Sequence, residues 1–298
     1  MMTQSTDLKL ARSGEVTSRN FHRLGFERLS WGVYGHRPDT SAVSEYEARR
    51  LRFLTMVRAS LASYEGSPVV LHGATALQML GVALPAHLED WETCHVVVPR
   101  GKYRPTRQGV VGHRVRGEVT VWRLVGGLPV MHPVDHWAQL RDASRSDLIE
   151  VGDGLVRRQH PLLTIAQMDR RLRELAGAPG VKSLRRAMLQ VLPGTDSIYE
   201  TRTRLIMTNA GLPCPKVNPA VRAGWRTYHL DMAYLTERIG IEFDGRGHGQ
   251  TDQIDIDAER RRHLQDEGWL IINVTAKHLI DPTEFIRSVE RALVLRAR

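Results

Sequence analysis

Apolar and polar positions along this chain follow more than one period, and the changes of period mark its parts. Residues 1–15 are polar, with no apolar run to pack. Residues 16–36 predict a short helix around Ser18–Leu24, then a strand ending Gly32-Val33-Tyr34-Gly35. Between Ser44 and Ser63, Leu51, Leu54, Val57 and Leu61 recur three or four apart, the spacing of one face of an amphipathic helix. A short strand, Val69–Leu71, and a small helix, Ala74–Leu80, come next, and Gly81 suits the C-terminal cap of that helix. Cys94–Val98 and Val119–Trp122 read as β-type runs broken by Gly and Pro. Helical periodicity dominates from Val134 to Leu175, residues 176–182 connect, and Ser183–Leu192 is helical again. Pro193-Gly194 punctuates the chain most strongly and predicts the main boundary.

The last hundred residues change rhythm. Asp196 or Ser197 caps a helix running to about Asn209, with Glu200 three residues after Ser197 at capping-box spacing. A strand is expected around Lys216–Val221, then a turn at Ala223-Gly224. Tyr228–Leu235 and Arg238–Phe243 read as paired strands. Ile254–Glu267 reads as a helix stopped by Gly268, Leu270–Thr275 as a buried strand, and Thr283–Leu295 as a final helix. The order helix, three strands, helix, strand, helix predicts a compact α/β unit.

Composition narrows the class. The 298 residues are 42% hydrophobic, enough for two or three domains. No run of 18 apolar residues occurs, so no membrane partner is expected, and the first residues lack a signal-peptide core. Cys94 and Cys214 lie far apart without metal-type spacing, which disfavours a disulfide framework or a cysteine zinc site and points to a reducing cytoplasm. Lys+Arg number 42 against 33 Asp+Glu, a formal charge of +9 carried mostly by Arg. An Arg-rich balance suits phosphate, because the guanidinium fork matches two oxygens; a G+C-rich genome gives the same bias.

The chemistry concentrates in acidic residues on adjacent strands. Glu242 and Asp244 share one face of their strand, while Ile241 and Phe243 face the core. If a short turn near Thr236–Arg238 pairs the strands, Asp231 comes opposite Glu242, and three carboxylates converge. Such crowding calls for a hard divalent cation, and magnesium prefers oxygen ligands. Gly245-Arg246-Gly247-His248 comes immediately after: the glycines permit close backbone approach to a phosphodiester, and His248 titrates near neutrality as a general acid or base. On the next helix Asp257 and Arg261 share a face, with Arg260 three from Asp257; they can orient the site and grip phosphate.

In this order the elements Ser197-x-x-Glu200, Leu230-Asp231, Ile241-Glu242-Phe243-Asp244-Gly245-x-x-His248, Asp257-x-x-Arg260 and Gly268-Trp269 resemble the very short patch repair endonuclease-like branch of the PD-(D/E)XK nuclease superfamily, over about residues 197–298. The resemblance implies a restriction-endonuclease-like fold, a mixed sheet flanked by helices. It also implies Mg2+-dependent phosphodiester hydrolysis, with Mn2+ able to substitute, leaving 5′-phosphate and 3′-hydroxyl ends. It makes Asp231 the central metal ligand and Glu242 a second, with Glu200 supporting through metal-bound water. His229-Leu230 stands where the superfamily has a Pro before the first acid, and Asp244 replaces its Lys, so Asp244, His248 or Arg260 would have to take the Lys role.

The front resembles AbiEi-like antitoxins. Leu29-Ser30-Trp31-Gly32-Val33-Tyr34 is similar to the end of the winged-helix unit in that family. Leu71-His72-Gly73-Ala74-Thr75-Ala76-Leu77 with Gly81-Val82-Ala83-Leu84-Pro85 is similar to the family's next helix and loop. The resemblance implies a truncated winged-helix-like unit over 1–40, an α+β middle domain over 41–193 and the nuclease-like domain over 194–298. A complete recognition helix has little room before Phe21. Arg19, His22, Arg23 and Arg28 would be the phosphate contacts there. The basic loop Pro99–Arg107, with Lys102, Tyr103 and Arg104, suits nucleic acid by charge and stacking, or a solvated hairpin. His72, His95, His113, His132 and His136 recur through the middle; His132-Pro133-Val134-Asp135-His136 suggests metal but lacks a further ligand.

Three functions are weighed. The first is a cytoplasmic, nucleoid-associated DNA endonuclease, nicking or structure-directed, positioned by its front. The second is an AbiEi-type regulator with a retired nuclease domain. The third is a scaffold or oligomer in repair or defence.

Overall fold

The computed structural model describes residues 8–11, 15–99, 104–115, 119–125, 127–140, 143–178, 180–244 and 254–297, with backbone alone for 123–125 and 254–257. The contacts divide the chain into two compact units, Met1–Leu140 and Arg141–Arg298. The boundary expected at Pro193-Gly194 therefore falls inside the second unit. Its helices before that point are held to the rest by buried ion pairs described below.

In the first unit, β1 (Lys9–Leu10), β2 (Glu27–Ser30) and β3 (Val33–Gly35) form an antiparallel sheet in the order β1-β3-β2. The helix expected over Ser18–Leu24 is a single 3-10 turn, His22–Leu24, closed by Gly25 in the left-handed region (φ 73°). Helix α1 (Glu45–Ala62) starts in a full Ser44/Glu47 capping box. Its innermost residues are Ala48, Phe53, Val57 and Ala59; Leu51, Leu54 and Leu61 flank them half-buried.

Next come β4 (Val70–Leu71), α2 (Gly73–Met79), β5 (Cys94–Val97), β6 (Thr106–Arg107), β7 (Val110–His113), β8 (Val121–Val125), β9 (Leu128–Met131) and α3 (Pro133–Trp137). The six strands form one mixed sheet, β6-β7-β5-β4-β9-β8. Within it β4 pairs with β9, and β5 with β7, in parallel. Val70, Val97 and Met131 form a buried apolar patch on it.

The second unit opens with α4 (Arg145–Leu155), α5 (Ile165–Glu174) and α6 (Val181–Met188), followed by α7 (Ile198–Asn209). Then come β10 (Lys216–Val217), β11 (Ala220–Ala223), β12 (Arg226–His229), β13 (Met232–Tyr234), β14 (Ile239–Phe243), α8 (Ile254–Asp266), β15 (Leu270–Val274), α9 (Ala276–Ile280) and α10 (Thr283–Arg296). The strand expected over Lys216–Val221 is broken at Asn218, which turns into the left-handed region (φ 46°) before Pro219. The strand expected over Tyr228–Leu235 breaks at Leu230-Asp231. The pieces join different sheets: β11 and β12 form a hairpin, while β10-β13-β14-β15 is a mixed sheet whose β14–β15 pair is parallel.

Alternation along β13 and β14 sends side chains to opposite faces. Met232, Tyr234, Ile239 and Ile241 pack with Met207, Phe285 and Val289 from α7 and α10 on one face. Ala233, with Leu230 just before the strand, packs with Leu264 and Trp269 on the other. Each large apolar side chain so buried stabilises by about 1.5–3 kcal/mol. The unit is thus a mixed sheet between helical layers. No helix among the described residues is long and apolar enough to cross a membrane.

Candidate active site

The break at Leu230-Asp231 sets the site. In the β13–β14 ladder Met232 faces Ile241, so one further step places Asp231 opposite Glu242, the juxtaposition expected from the sequence. Asp231 Oδ2 accepts the Phe243 backbone N–H at 2.8 Å, which fixes the carboxylate at the strand edge. Its own carbonyl accepts the Asn218 N–H at 2.9 Å, so the left-handed turn at Asn218 braces it from behind. Asp244 ends the strand; its N–H donates to the Val274 carbonyl at 2.7 Å and its side chain is exposed.

Glu200 enters from the first turn of α7 and is 6% exposed. Ser197 caps the helix by accepting the Glu200 N–H at 3.2 Å, and Glu200 Oε2 accepts the Asp196 N–H at 2.9 Å. Burial is the main reason its carboxyl is pushed up to about 7. The Asp196 N–H opposes the rise, the charge of Asp231 adds to it, the Ser197 side chain opposes it and the Asp196 charge adds again. Asp231 is also raised, first by burial; the Phe243 N–H and the charge of Arg260 pull it down, and Asp196 pushes it up.

Glu242 is handled differently. Arg260 of α8 grips it with both terminal nitrogens, Nη1 donating to Oε2 at 3.1 Å and Nη2 to Oε1. The same Nη2 donates to the His229 carbonyl at 2.9 Å. Arg260, expected to hold phosphate, is therefore engaged with Glu242 and supplies part of the positive charge expected of a cation. Among the described residues, no three His, Cys, Asp or Glu side chains surround a common point as a metal set would. The expected convergence of Asp231, Glu242 and Asp244 on one point is therefore not seen among the described residues: Glu242 is turned to Arg260 and Asp244 is exposed at the strand end, while Glu200 of α7 brings its charge to bear on the neighbourhood of Asp231 instead.

Other expected residues fall elsewhere. Arg261 comes after Arg260 on α8 and is exposed. Arg19, Arg23, Arg28 and Arg104 are exposed in the first unit. His248, Arg246, Lys102 and Tyr103 lie outside the described residues, and Asp257 is described only as backbone in α8.

An outer ring of partners goes beyond the residues expected from sequence. Asp196 takes Arg158 on Oδ2, Nε at 2.7 Å, and the Asn218 amide at 3.2 Å; Asn218 Oδ1 lies 3.1 Å from His229 Nδ1. Deeper, Asp153 of α4 accepts Arg204 Nη2 at 2.7 Å, the Thr201 hydroxyl at 2.8 Å and the Leu192 N–H at 2.9 Å. Glu150 takes Arg202 through two bonds of 3.0 Å. These pairs fix the rotation of α7, and with it Glu200. The partners lie about 40 or 50 positions apart, and no local pattern announces them.

Similarity to known proteins brings no activity with it. Two uncharacterized proteins of Mycobacterium tuberculosis, MT2308 of strain CDC 1551 / Oshkosh and Rv2248 of strain H37Rv, are each 25% identical to this chain over 213 residues, 69% of this chain and 76% of theirs. No family model matches the chain, and no solved structure matches it.

Proposed function

We propose that the second unit is a restriction-endonuclease-like domain that hydrolyses DNA phosphodiesters with a divalent metal ion. The observation that carries the reading is the neighbourhood of two repelling acids, buried Glu200 and half-buried Asp231, with Asp231 standing opposite Glu242 in the strand register. An antiparallel strand pair carrying the acids, then a helix, then a parallel strand, supports it. So does the sequence resemblance, whose Trp269 lies buried against Leu264.

The donor chemistry fits a hard cation. Asp231 and Glu200 offer carboxylate oxygens whose repulsion such an ion relieves, and Glu242 joins them once Arg260 exchanges its carboxylate for substrate phosphate. When bound, magnesium supplies phosphate polarisation and a more acidic water. The chain's own residues do the rest. The Phe243 N–H and the Asn218 brace hold Asp231 in place. Arg260 brings a bidentate fork that matches phosphate as well as carboxylate. Glu200 is poised near neutrality to take up or release a proton.

A second reading, a DNA-binding regulator with a retired nuclease domain, draws on the Glu242–Arg260 pair, which offsets one acid without an ion. Supercoiled-plasmid nicking separates the two. The endonuclease reading expects relaxation with magnesium or manganese, none with chelator, and none in Asp231→Ala or Glu242→Ala. Equal DNA binding by wild type and both variants, with no cleavage of any DNA form, would establish the regulator instead.

A further inference from the structure

A second cluster of metal-binding side chains lies in the first unit, where strand register assembles it. In β4 and β5, Val70 faces Val97 and Leu71 faces Val96, so His72 comes opposite His95; its N–H donates to the His95 carbonyl at 3.0 Å. In the parallel β5–β7 pair, His113 faces Val97. Side chains alternate along strands, so His72, His95 and His113 stand on one face of three adjacent strands. The ring of His113 stacks on that of His72 at 4.5 Å and lies 5.0 Å from that of His95. His136 of α3 closes the group edge-on to His72, with Nδ1 accepting the Gly73 N–H at 3.1 Å.

Two features point to a ligand. His72 is 5% exposed, and among the described residues neither of its ring nitrogens finds a hydrogen-bond partner. Leaving a buried polar group so costs about 1–3 kcal/mol, and an apolar side chain would pack there at no such penalty. The second feature is Asp90. Its Oδ1 accepts the N–H groups of Glu92 and Thr93, and its Oδ2 lies 2.8 Å from His95 Nε2. The carboxylate is placed to accept an Nε2–H of His95, and in that tautomer the Nδ1 lone pair faces inward, toward His113 Nε2 at 2.8 Å. A carboxylate behind an imidazole is the device that orients histidine ligands and raises their basicity.

We infer that His72, His95 and His113 form a three-imidazole site for a zinc-class divalent ion, with Asp90 orienting His95 and His136 as a wall. The ring nitrogens are not yet arranged around one point. Two ligands on a tetrahedral zinc at ~2.05 Å stand about 3.3 Å apart. Entry of the ion therefore widens the His95–His113 contact, shifts the single proton of a neutral His113 from Nε2 to Nδ1 by exchange with solvent, with no net loss, and turns the His72 ring inward. The three strands hold the backbones still while this happens. His113, half-buried, opens the cluster to solvent on one side. Three imidazoles leave a fourth position for water or a further ligand. This site uses none of the acids of the second unit and does not depend on their function.

Cobalt serves as the probe. Untagged full-length protein, stripped with chelator, is titrated with Co2+ and then back-titrated with Zn2+. The site expects one Co2+ per chain with the intense visible bands of nitrogen-ligated tetrahedral cobalt, displaced by one equivalent of zinc. His95→Ala and His113→Ala should abolish the bands. Asp90→Asn should weaken binding about 10–100-fold, and Asp231→Asn should leave it intact. X-ray absorption of zinc on the wild-type chain gives a reading independent of how the variants fold: three imidazole ligands support the site. It is overturned by weak octahedral-type cobalt alone, by zinc ligation without imidazole, or by binding that survives His95→Ala and fails in Asp231→Asn.

Discussion

Glu200 in the second unit and His72 in the first are almost equally hidden from water, at 6% and 5% exposure, yet they answer to pH in opposite senses. Burial disfavours whichever form carries charge. It pushes the Glu200 carboxyl up to about 7. It pushes His72 down to about 2, helped by His136, His113 and His95, and His136 down to about 3, opposed by the Met131 carbonyl and helped by His132. Glu200 holds its proton to higher pH than a free carboxyl, while His72 and His136 refuse one. Asp153, which also meets α7, gives the contrast. Burial raises it too, but Arg204, Leu192 and Thr201 hold its oxygens. What separates Asp153 from Glu200 is therefore the countercharge of Arg204, and burial alone does not decide it.

That comparison can be broken at several points. The largest effect is expected at Asp153→Asn, which leaves Arg204, itself 2% exposed, as an uncompensated buried cation. Urea unfolding at pH 7 should show a loss of about 3–5 kcal/mol. A loss under ~1 kcal/mol would mean that the pair is not what fixes α7.

Acid should then single out the first unit. Its imidazoles have lowered folded values, so the stability they contribute is present above the unfolded value of 6.5 and drains away as pH falls. Two such groups amount to roughly 4 kcal/mol by pH 5. Hydrogen exchange of chelator-treated protein should show protection falling between pH 7 and 5 in the first unit and holding in the second. Equal behaviour of both units counts against the contrast.

Glu200 runs the other way. Its raised carboxyl contributes stability that is complete below 4.5 and is lost as pH rises through about 7. Glu200→Gln should therefore stabilise by about 2–3 kcal/mol at pH 8, with the difference vanishing near pH 4. A destabilised variant at pH 8 would show that the charged form is well accommodated. The smallest effect belongs to Arg260→Met. Removing this half-buried pair should cost about 1 kcal/mol while raising Asp231 further, a displacement that carbon NMR titration of the carboxyl reads directly.

Much of the second unit could be read from local signals. The Ser197 cap placed α7, and the alternation at Ile241-Glu242-Phe243 put the acid on the opposite face from the buried Ile241, with Glu242 coming across from Asp231. Each of these depends on residues within one helical turn or one hairpin. The broken strands at Asn218 and Asp231 were not legible, because each break is decided by which of two sheets the neighbouring residues join. Nor was the Arg260 grip on Glu242, since it depends on how α8 packs over the sheet. The three histidines were visible singly, but their meeting depends on pairings 18 and more positions apart. In the front, residues that would suit a helix before Phe26 close into a single 3-10 turn at Gly25.

The buried links from α4 to α7 bear on how this unit can be inherited or transplanted. Asp153 and Glu150 anchor the very helix that carries Glu200, and Arg158, just beyond α4, holds Asp196 beside it. A graft that began at Gly194 would keep every acid of the candidate site yet strand Arg204 with no anion to meet it. The portable piece is the whole of 141–298: the helical prelude and the sheet travel together or lose their footing.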